Sequence, residues 1–361
     1  MAKQRVIAAM SGGVDSAVAA GLLLEAGYGV VGITMKMYAP SRPAHAKSCC
    51  GADDFDDARR SAAVLGIPHY VLDFQEAFAR NVVERFADDY ERGRTPNPCV
   101  SCNNFVKLGT LLAYADRLDA QYVATGHYAR VTHLQDGVRL FRSAHAKDQA
   151  YALAQLAPAQ LERLLLPLGE LDKAATREHA RRLGLPVHDK AESQDVCFVE
   201  GSDYRDVLAK LRPAVNRTGL VRSERGETIG EHAGIANYTV GQRALVPAGS
   251  DGARYVTRID AATNTIVVGR EDELFSSDLQ AGELNLIRPE RFAGGRTRVR
   301  AMIRYRSAPA DAEATVEGGT LRLHFDAPQR AIAPGQLVAL LDPESDEVLG
   351  GATIRPSTSS G

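Results

Sequence analysis

Val6-Ile7-Ala8-Ala9-Met10, running straight into Ser11-Gly12-Gly13-Val14-Asp15-Ser16, decides how the first half of this chain folds. The apolar pentapeptide reads as a short buried strand. The hexapeptide after it turns on two glycines and opens a helix that runs to about Ala26, where Gly27 caps it. Such a loop offers an anion both free backbone N–H groups and the positive end of a helix dipole. Gly12 and Gly13 let the backbone curl around a phosphate, and the hydroxyls of Ser11 and Ser16 add donors. No lysine of the Walker type is present, so this is not the usual nucleotide triphosphatase loop. The blander reading, a Gly-Gly turn with a capped helix, does not account for the full hexapeptide in a strand–loop–helix setting.

Outward from that loop, strand and helix patterns alternate. Strands are expected at 30–34, 70–73 and 122–125, with helices at 53–65, 76–90 and 105–118. Alternation at this spacing predicts βαβ units and an α/β, doubly wound parallel-sheet domain over residues 1–204. Beyond about residue 200 the helical periodicity fades. Short β-type runs at 254–259, 265–268, 297–305, 321–325 and 337–341 predict a small central module over 205–275 and a C-terminal β-barrel over 276–361.

The bulk numbers agree with a multi-domain globular enzyme. The chain has 361 residues, 45% hydrophobic and 24% charged, with a net charge of −2. That balance excludes a disordered chain and a globally basic nucleic-acid coat. No stretch approaches the roughly 20 apolar residues of a membrane span, and residues 1–16 do not read as a secretory leader. A cytoplasmic protein with no membrane partner is expected.

Five cysteines, Cys49, Cys50, Cys99, Cys102 and Cys197, are odd in number and too few for a disulfide scaffold. Cys99 and Cys102 sit in Asn97-Pro98-Cys99-Val100-Ser101-Cys102-Asn103, after the turn-rich Gly93-Arg94-Thr95-Pro96. Cys102 is therefore expected near a helix N-terminus, where a thiolate is favoured. Cys197 follows Glu192-Ser193-Gln194-Asp195-Val196. Three readings stand: unrelated thiols, a metal or iron–sulfur site on Cys99, Cys102 and Cys197, and a sulfur relay between Cys102 and Cys197. Adjacent Cys49 and Cys50, near His45 and Lys47, read as surface thiols.

Further motifs narrow the choice. ATGHYAR (124–130), KDQAY (147–151), ESQDVCF (192–198), IGEHAG (229–234), YTVGQR (238–243) and PGQ (334–336) follow GRTPNPCVSCN in order. The loop resembles that of the ATP pyrophosphatases, and the whole series resembles the tRNA-specific 2-thiouridylases within that superfamily. The resemblance implies that Ala9–Ser16, with Met35 and Gly126, hold ATP alongside Mg²⁺. It implies adenylation of the C2 oxygen of the wobble uridine, a persulfide on Cys197, and Cys102 as the nucleophile. A cysteine desulfurase or a sulfur-relay protein would load the persulfide. Contacts to tRNA are implied for Asn97, Pro98, Cys99, His127, Lys147, Asp148, Gln149, Arg304, Tyr305 and Gln336. The chain departs from the family pattern at Cys99, where some members carry Asp, at Ala152, where many carry an aromatic residue, and at Ala244-Leu245-Val246-Pro247, where Lys-Gly-Leu-Gly is common.

Seven arginines and one acid lie between Arg288 and Arg306. Arg296, Arg298, Arg300, Arg304 and Arg306 share one parity, which on a continuous strand sends them to one face. The expectation is a basic strip for a polyanion; the competing one is a solvated face. Two rival functions remain at this level: an ATP-dependent ligase for a small metabolite, which would need neither Cys102 nor Cys197, and a non-catalytic RNA-binding or iron–sulfur protein, which would not need the glycine loop.

Overall fold

Strand β1 (Arg5–Ala9) is the middle of a parallel sheet, followed by helix α1 (Val14–Glu25), strand β2 (Gly29–Lys36), helix α2 (Ala52–Leu65), strand β3 (His69–Asp73) and strand β4 (Tyr122–Ala124). An antiparallel hairpin, β5 (Ala129–Leu134) and β6 (Gly137–Arg142), precedes the two-residue β7 (Leu164–Leu165). The sheet order is β3-β2-β1-β4-β7, every pair parallel. Winding proceeds one way from β1 to β3 and the other way to β4. The carboxyl ends of β1 and β4 therefore flank the switch point where such sheets bind ligands. The computed structural model describes residues 3–38, 52–191, 196–199, 203–244 and 252–357. Cys49 and Cys50, Glu192–Asp195 and Leu245–Pro247 lie outside the described residues.

The chain forms two units: residues 1–83, 99–202 and 346–348, and residues 84–98, 203–345 and 349–361. Segment 84–98 packs in the second unit although it falls within the 1–204 stretch of the sequence.

In the first unit, α1 buries Val14, Ala17, Val18, Ala19, Ala20 and Leu23 against Val6, Ala8, Val30 and Ala58. Small residues permit this close approach; a Cβ on Gly21 would stand 2.5 Å from Leu183 Cδ1. The expected helix at 76–90 forms over 75–91 but carries wider, i→i+5 turns at Ala79–Glu84. The helix expected at 105–118 starts earlier, at Pro98. Proline suits a first helical turn because its missing N–H is not needed there. Wider turns again run over Cys102–Thr110, and the Gln160 side-chain amide donates to the Asn104 carbonyl at 2.9 Å and the Leu108 carbonyl at 2.8 Å. Beside the hairpin, Leu140 and Phe141 of β6 pair with Val348 and Glu347.

In the second unit, β8 (Gly219–Ser223), β9 (Thr228–His232), β10 (Tyr255–Asp260) and β11 (Thr265–Gly269) form a sheet of order β10-β11-β8-β9 around Val221, Val256, Ile266 and Val268. Six further strands follow: β12 (Phe275–Leu286), β13 (Thr297–Met302), β14 (Ala310–Glu317), β15 (Thr320–Arg330), β16 (Leu337–Leu341) and β17 (Glu347–Ile354). Their order β12-β15-β14-β13-β16-β17 closes through β12–β17 pairing, Ala281 opposite Ile354, into a barrel. Alternation places Leu321, Leu323 and Phe325 inside and Arg322 and His324 outside.

The strand expected over 297–305 ends at Met302, and the chain turns at 303–307. Arg304, Tyr305 and Arg306 thus leave the parity of Arg298 and Arg300. The charges on the strand are also matched: Arg298 forks onto Asp326, Arg296 lies 3.0 Å from Glu313, and Arg300 donates to the Asp342 and Ser345 carbonyls. The one-faced basic strip is therefore an array of internal pairs. Among the described residues no helix is long and apolar enough to cross a membrane.

Candidate active site

The loop after β1 is built to leave its amides facing outward. Met10 is buried, its N–H donating to the Ile33 carbonyl at 2.8 Å and its carbonyl accepting from the Thr34 hydroxyl at 2.7 Å. Gly12 adopts φ +75° with its α-carbon pressed on α2; a Cβ there would stand 2.2 Å from the Asp54 carbonyl oxygen. Gly13 has the opposite property. A Cβ on it would meet only Ser11 Oγ, at 3.5 Å, so its glycine keeps space clear at the start of α1. Ser16, expected to donate outward, holds the loop instead: its hydroxyl accepts from Ser11 N–H at 3.1 Å and donates to the Gly13 carbonyl at 3.0 Å.

The exit of β4 closes on the same turn. A Cβ on Gly126 would lie 2.7 Å from the Asp15 carbonyl carbon, so only glycine fits. Thr125 Oγ1 and His127 Nδ1 are 2.7 Å apart. Burial of His127, with the Lys107 charge nearby, pushes its pKa down to about 3, so the ring is neutral at physiological pH. Met35, on β2, is 7% exposed.

Asp15 is the electrostatic centre of the site. Its carboxylate accepts from the Tyr128 hydroxyl at 2.7 Å, Lys147 Nζ at 3.3 Å and Lys173 Nζ at 2.6 Å. Lys147 also lies over the Tyr128 ring, 4.9 Å from its centroid. On the other side of the loop, Lys190 Nζ donates to the Gly12 carbonyl, Asp54 and Asp57. Burial opposes its charge, yet the two carboxylates hold its pKa above the ordinary lysine value. Lys173 and Lys190 escaped the sequence reading because no local motif surrounds either one.

The neighbours of Lys147 face inward. Asp148, expected to contact tRNA, accepts from Ser143 N–H and Arg142 Nε, each at 2.9 Å, and from Ala150 N–H at 3.2 Å. Gln149 accepts from Tyr128 N–H at 3.0 Å, and its own N–H donates to the Tyr128 carbonyl at 2.8 Å. Both residues hold the Tyr128 and Lys147 backbone in place.

The cysteines differ from one another. Cys99 is exposed, Cys197 half-buried in the turn 196–199, and Cys102 buried. Cys102 lies one turn inside its helix, not at the N-terminus, with Sγ 3.8 Å from Met37 Sδ. The dipole effect fades within the first turn. Among the described residues no three His, Cys, Asp or Glu side chains converge as metal ligands, so the three-cysteine cluster has no geometric support.

Three motifs far apart in sequence meet at Thr95 in the second unit. The Gln336 side-chain amide donates to the Thr95 carbonyl at 2.7 Å, Thr95 N–H donates to the Pro334 carbonyl at 2.8 Å, and the Thr95 and Thr239 hydroxyls are 3.4 Å apart. Gly335, at φ +90°, lets Arg94 and Thr95 approach; its Cβ would stand 2.9 Å from Thr95 N. Pro98 is buried and Asn97 half-buried at the end of this segment. Arg304 donates to the carbonyls of Arg330 and Ala331, which fixes the turn carrying exposed Tyr305.

Three family models match in succession: a tRNA methyl transferase HUP domain over residues 4–201, a tRNA methyl transferase PRC-barrel domain over 205–270 and an aminomethyltransferase beta-barrel domain over 276–354. The tRNA-specific 2-thiouridylase MnmA of Acetivibrio thermocellus is 42% identical, covering 98% of this chain and 100% of its own length. The protein of the same name from Carboxydothermus hydrogenoformans is 44% identical, covering 98% of each chain. That of Clostridium perfringens is 41% identical, covering 98% of this chain and 99% of its own.

Proposed function

The chain belongs to the tRNA-specific 2-thiouridylase family, and from that premise we propose that it replaces the C2 oxygen of the wobble uridine in tRNA with sulfur, using ATP, in the cytoplasm. The observation that carries the reading is the loop at the switch point of the parallel sheet. Gly12 is pressed on α2, Gly13 leaves the first turn of α1 clear, and Gly126 closes on Asp15. These features fit a phosphate-bearing nucleotide held by Ala9–Ser16, with Met35 and Gly126 toward the adenosine. ATP, when bound, supplies the adenylyl group that turns the uridine oxygen into a leaving group. Asp54 and Asp57 are committed to Lys190, so Mg²⁺ would be carried mainly by the phosphates.

The protein's own part is to hold, shield and deliver. Loop amides and the α1 dipole take phosphate charge. In the proposed relay a sulfur-donor protein leaves a persulfide on half-exposed Cys197. Its terminal sulfur bonds to uridine C2 as the activated oxygen departs with AMP. The Cys102 thiolate then attacks Cys197 Sγ. The S–S bond breaks, its electron pair stays on the sulfur now attached to the base, and a Cys102–Cys197 disulfide remains for a thiol reductant to open. Residues 1–204 would supply this chemistry, with 205–275 and 276–361 holding tRNA. For the base and anticodon we propose Asn97, Pro98, Cys99, His127, Lys147, Tyr305 and Gln336 as contacts, with Asp148, Gln149 and Arg304 supporting them.

Mass spectrometry of nucleosides from unthiolated tRNA, incubated with the protein, ATP, Mg²⁺ and a persulfide source, tests the reading. Thiouridine should appear with AMP and pyrophosphate in step. ADP and phosphate as the only nucleotide products, or no thiouridine in any tRNA, would overturn it.

A further inference from the structure

We propose that Lys173 binds the pyrophosphate that leaves when the uridine oxygen is adenylated; this rests on the functional reading above. Lys173 is the first residue of the helix Lys173–Arg182. That helix is fixed at its start: the Asp172 carboxylate accepts from Ala175 N–H at 2.7 Å, and the buried Thr176 hydroxyl donates to the Asp172 carbonyl at 2.8 Å. Thr176 Oγ1 in turn lies 3.0 Å from the Tyr128 hydroxyl. The root of the Lys173 side chain is therefore tied to the residue that also binds Asp15.

Its ammonium meets Asp15 in the first turn of α1, two residues past Gly13. Asp15 already has a donor in Tyr128 and a counter-charge in Lys147. Two lysines on one carboxylate leave one positive charge in excess (+2 − 1 = +1) beside the phosphate loop. The pair is open to solvent on one side, at 21% exposure for Lys173 and 25% for Asp15, so an arriving anion can reach it.

In the reaction the uridine oxygen bonds to the α-phosphorus, the α–β bridging P–O bond breaks, and its electron pair leaves on pyrophosphate. Negative charge accumulates on the leaving group, so an ammonium placed there binds the transition state more tightly than the ground state. Lys147 is drawn over the Tyr128 ring, whereas Lys173 is aimed from a fixed helix start. Asp15 holds it in position until the phosphates arrive.

The test is calorimetric titration of the full-length protein, wild type, Lys173→Met and Lys173→Arg, with Mg²⁺ plus ATP, pyrophosphate or AMP. Lys173→Met should weaken ATP and pyrophosphate by about tenfold or more, the size of a lost hydrogen bond to a charged group. AMP, which lacks the β and γ phosphates, should change by less than about twofold on the same ground. Lys173→Arg should recover most of the loss. Equal weakening of AMP and ATP, or a fall in melting temperature with affinities unchanged, would make the Asp15 pair purely structural and overturn the proposal. A wild-type protein that binds neither ATP nor pyrophosphate would instead overturn the functional reading on which it rests.

Discussion

Lys190 reaches across 178 residues of sequence to donate a hydrogen bond to the Gly12 carbonyl at 3.1 Å. The same ammonium binds Asp54 at 2.6 Å and Asp57 at 2.5 Å. It ties the phosphate loop to the first turns of α2. Lys190→Met should leave two carboxylates facing each other without a cation and cost about 2 kcal/mol, read from urea denaturation. ATP affinity should fall with it, because the amide-presenting shape of the loop relaxes. An unchanged denaturation midpoint would show that the loop holds itself.

The cysteine relay is tested by paired substitutions. Cys102→Ser and Cys197→Ser should each stop thiouridine formation while ATP binding persists, since neither belongs to the glycine loop. Persulfide should be lost in Cys197→Ser and remain loadable in Cys102→Ser. After one turnover without reductant, peptide mapping should find Cys102 joined to Cys197, a bridge that needs Cα atoms within about 7 Å. Thiouridine formed at the wild-type rate by Cys197→Ser would end the relay.

Arg304 holds backbone, and its loss should register first as stability. Arg304→Ala removes donors from the Arg330 and Ala331 carbonyls, and Ala331 sits at φ +53°. A cost of about 1–3 kcal/mol follows from two unsatisfied acceptors, visible as a lower melting temperature. Weakened tRNA binding should come with that loss, through the displaced Tyr305. A variant with wild-type melting but a log–log salt slope shallower by about one unit would instead mark direct phosphate contact.

His127 makes a pH prediction. Burial and Lys107 lower its folded pKa to about 3, below the unfolded value. A depressed pKa means that the neutral ring's contribution is complete above about pH 6.5 and is lost as pH falls toward 3. At pH 5 the wild type should therefore have lost about 1–2 kcal/mol that a His127→Gln variant does not lose. Denaturation at pH 7 and pH 5 checks it; parallel losses in both proteins would place the proton elsewhere. By NMR the His127 ring should show no titration between pH 8 and 5.

Much of this architecture is legible in the sequence, and the reasons for the exceptions are physical. Val6–Met10 and the hexapeptide after it carry strand, turn and helix start in adjacent residues, so local chemistry is enough. Lys173 and Lys190 are not legible, because each meets its partner from 158 or 178 residues away. Reading Arg296–Arg306 as one face failed because parity says nothing about where a strand stops, and the chain turns after Met302. It failed also because Asp326 and Glu313, which match the charges, lie on other segments of the barrel. Cys102 was placed at a helix start because Pro96 and Pro98 read as loop; Pro98 is in fact the first helical residue.

The pairing of β6 has a consequence for biosynthesis. Its Leu140 and Phe141 take Val348 and Glu347 as neighbours, and the buried Arg139 reaches Glu347 at 3.3 Å. Those partners are translated about two hundred residues later. At roughly 5–20 residues per second, the hairpin leaves the ribosome and waits on the order of ten to forty seconds for the strand that covers it. Meanwhile one hairpin edge is open to other chains, and Arg139 lacks its interior counter-ion. The first unit is thus the earliest begun and among the last completed, and a message truncated near its 3′ end would yield an incompletely stitched nucleotide-binding unit, not a normal one lacking only the barrel.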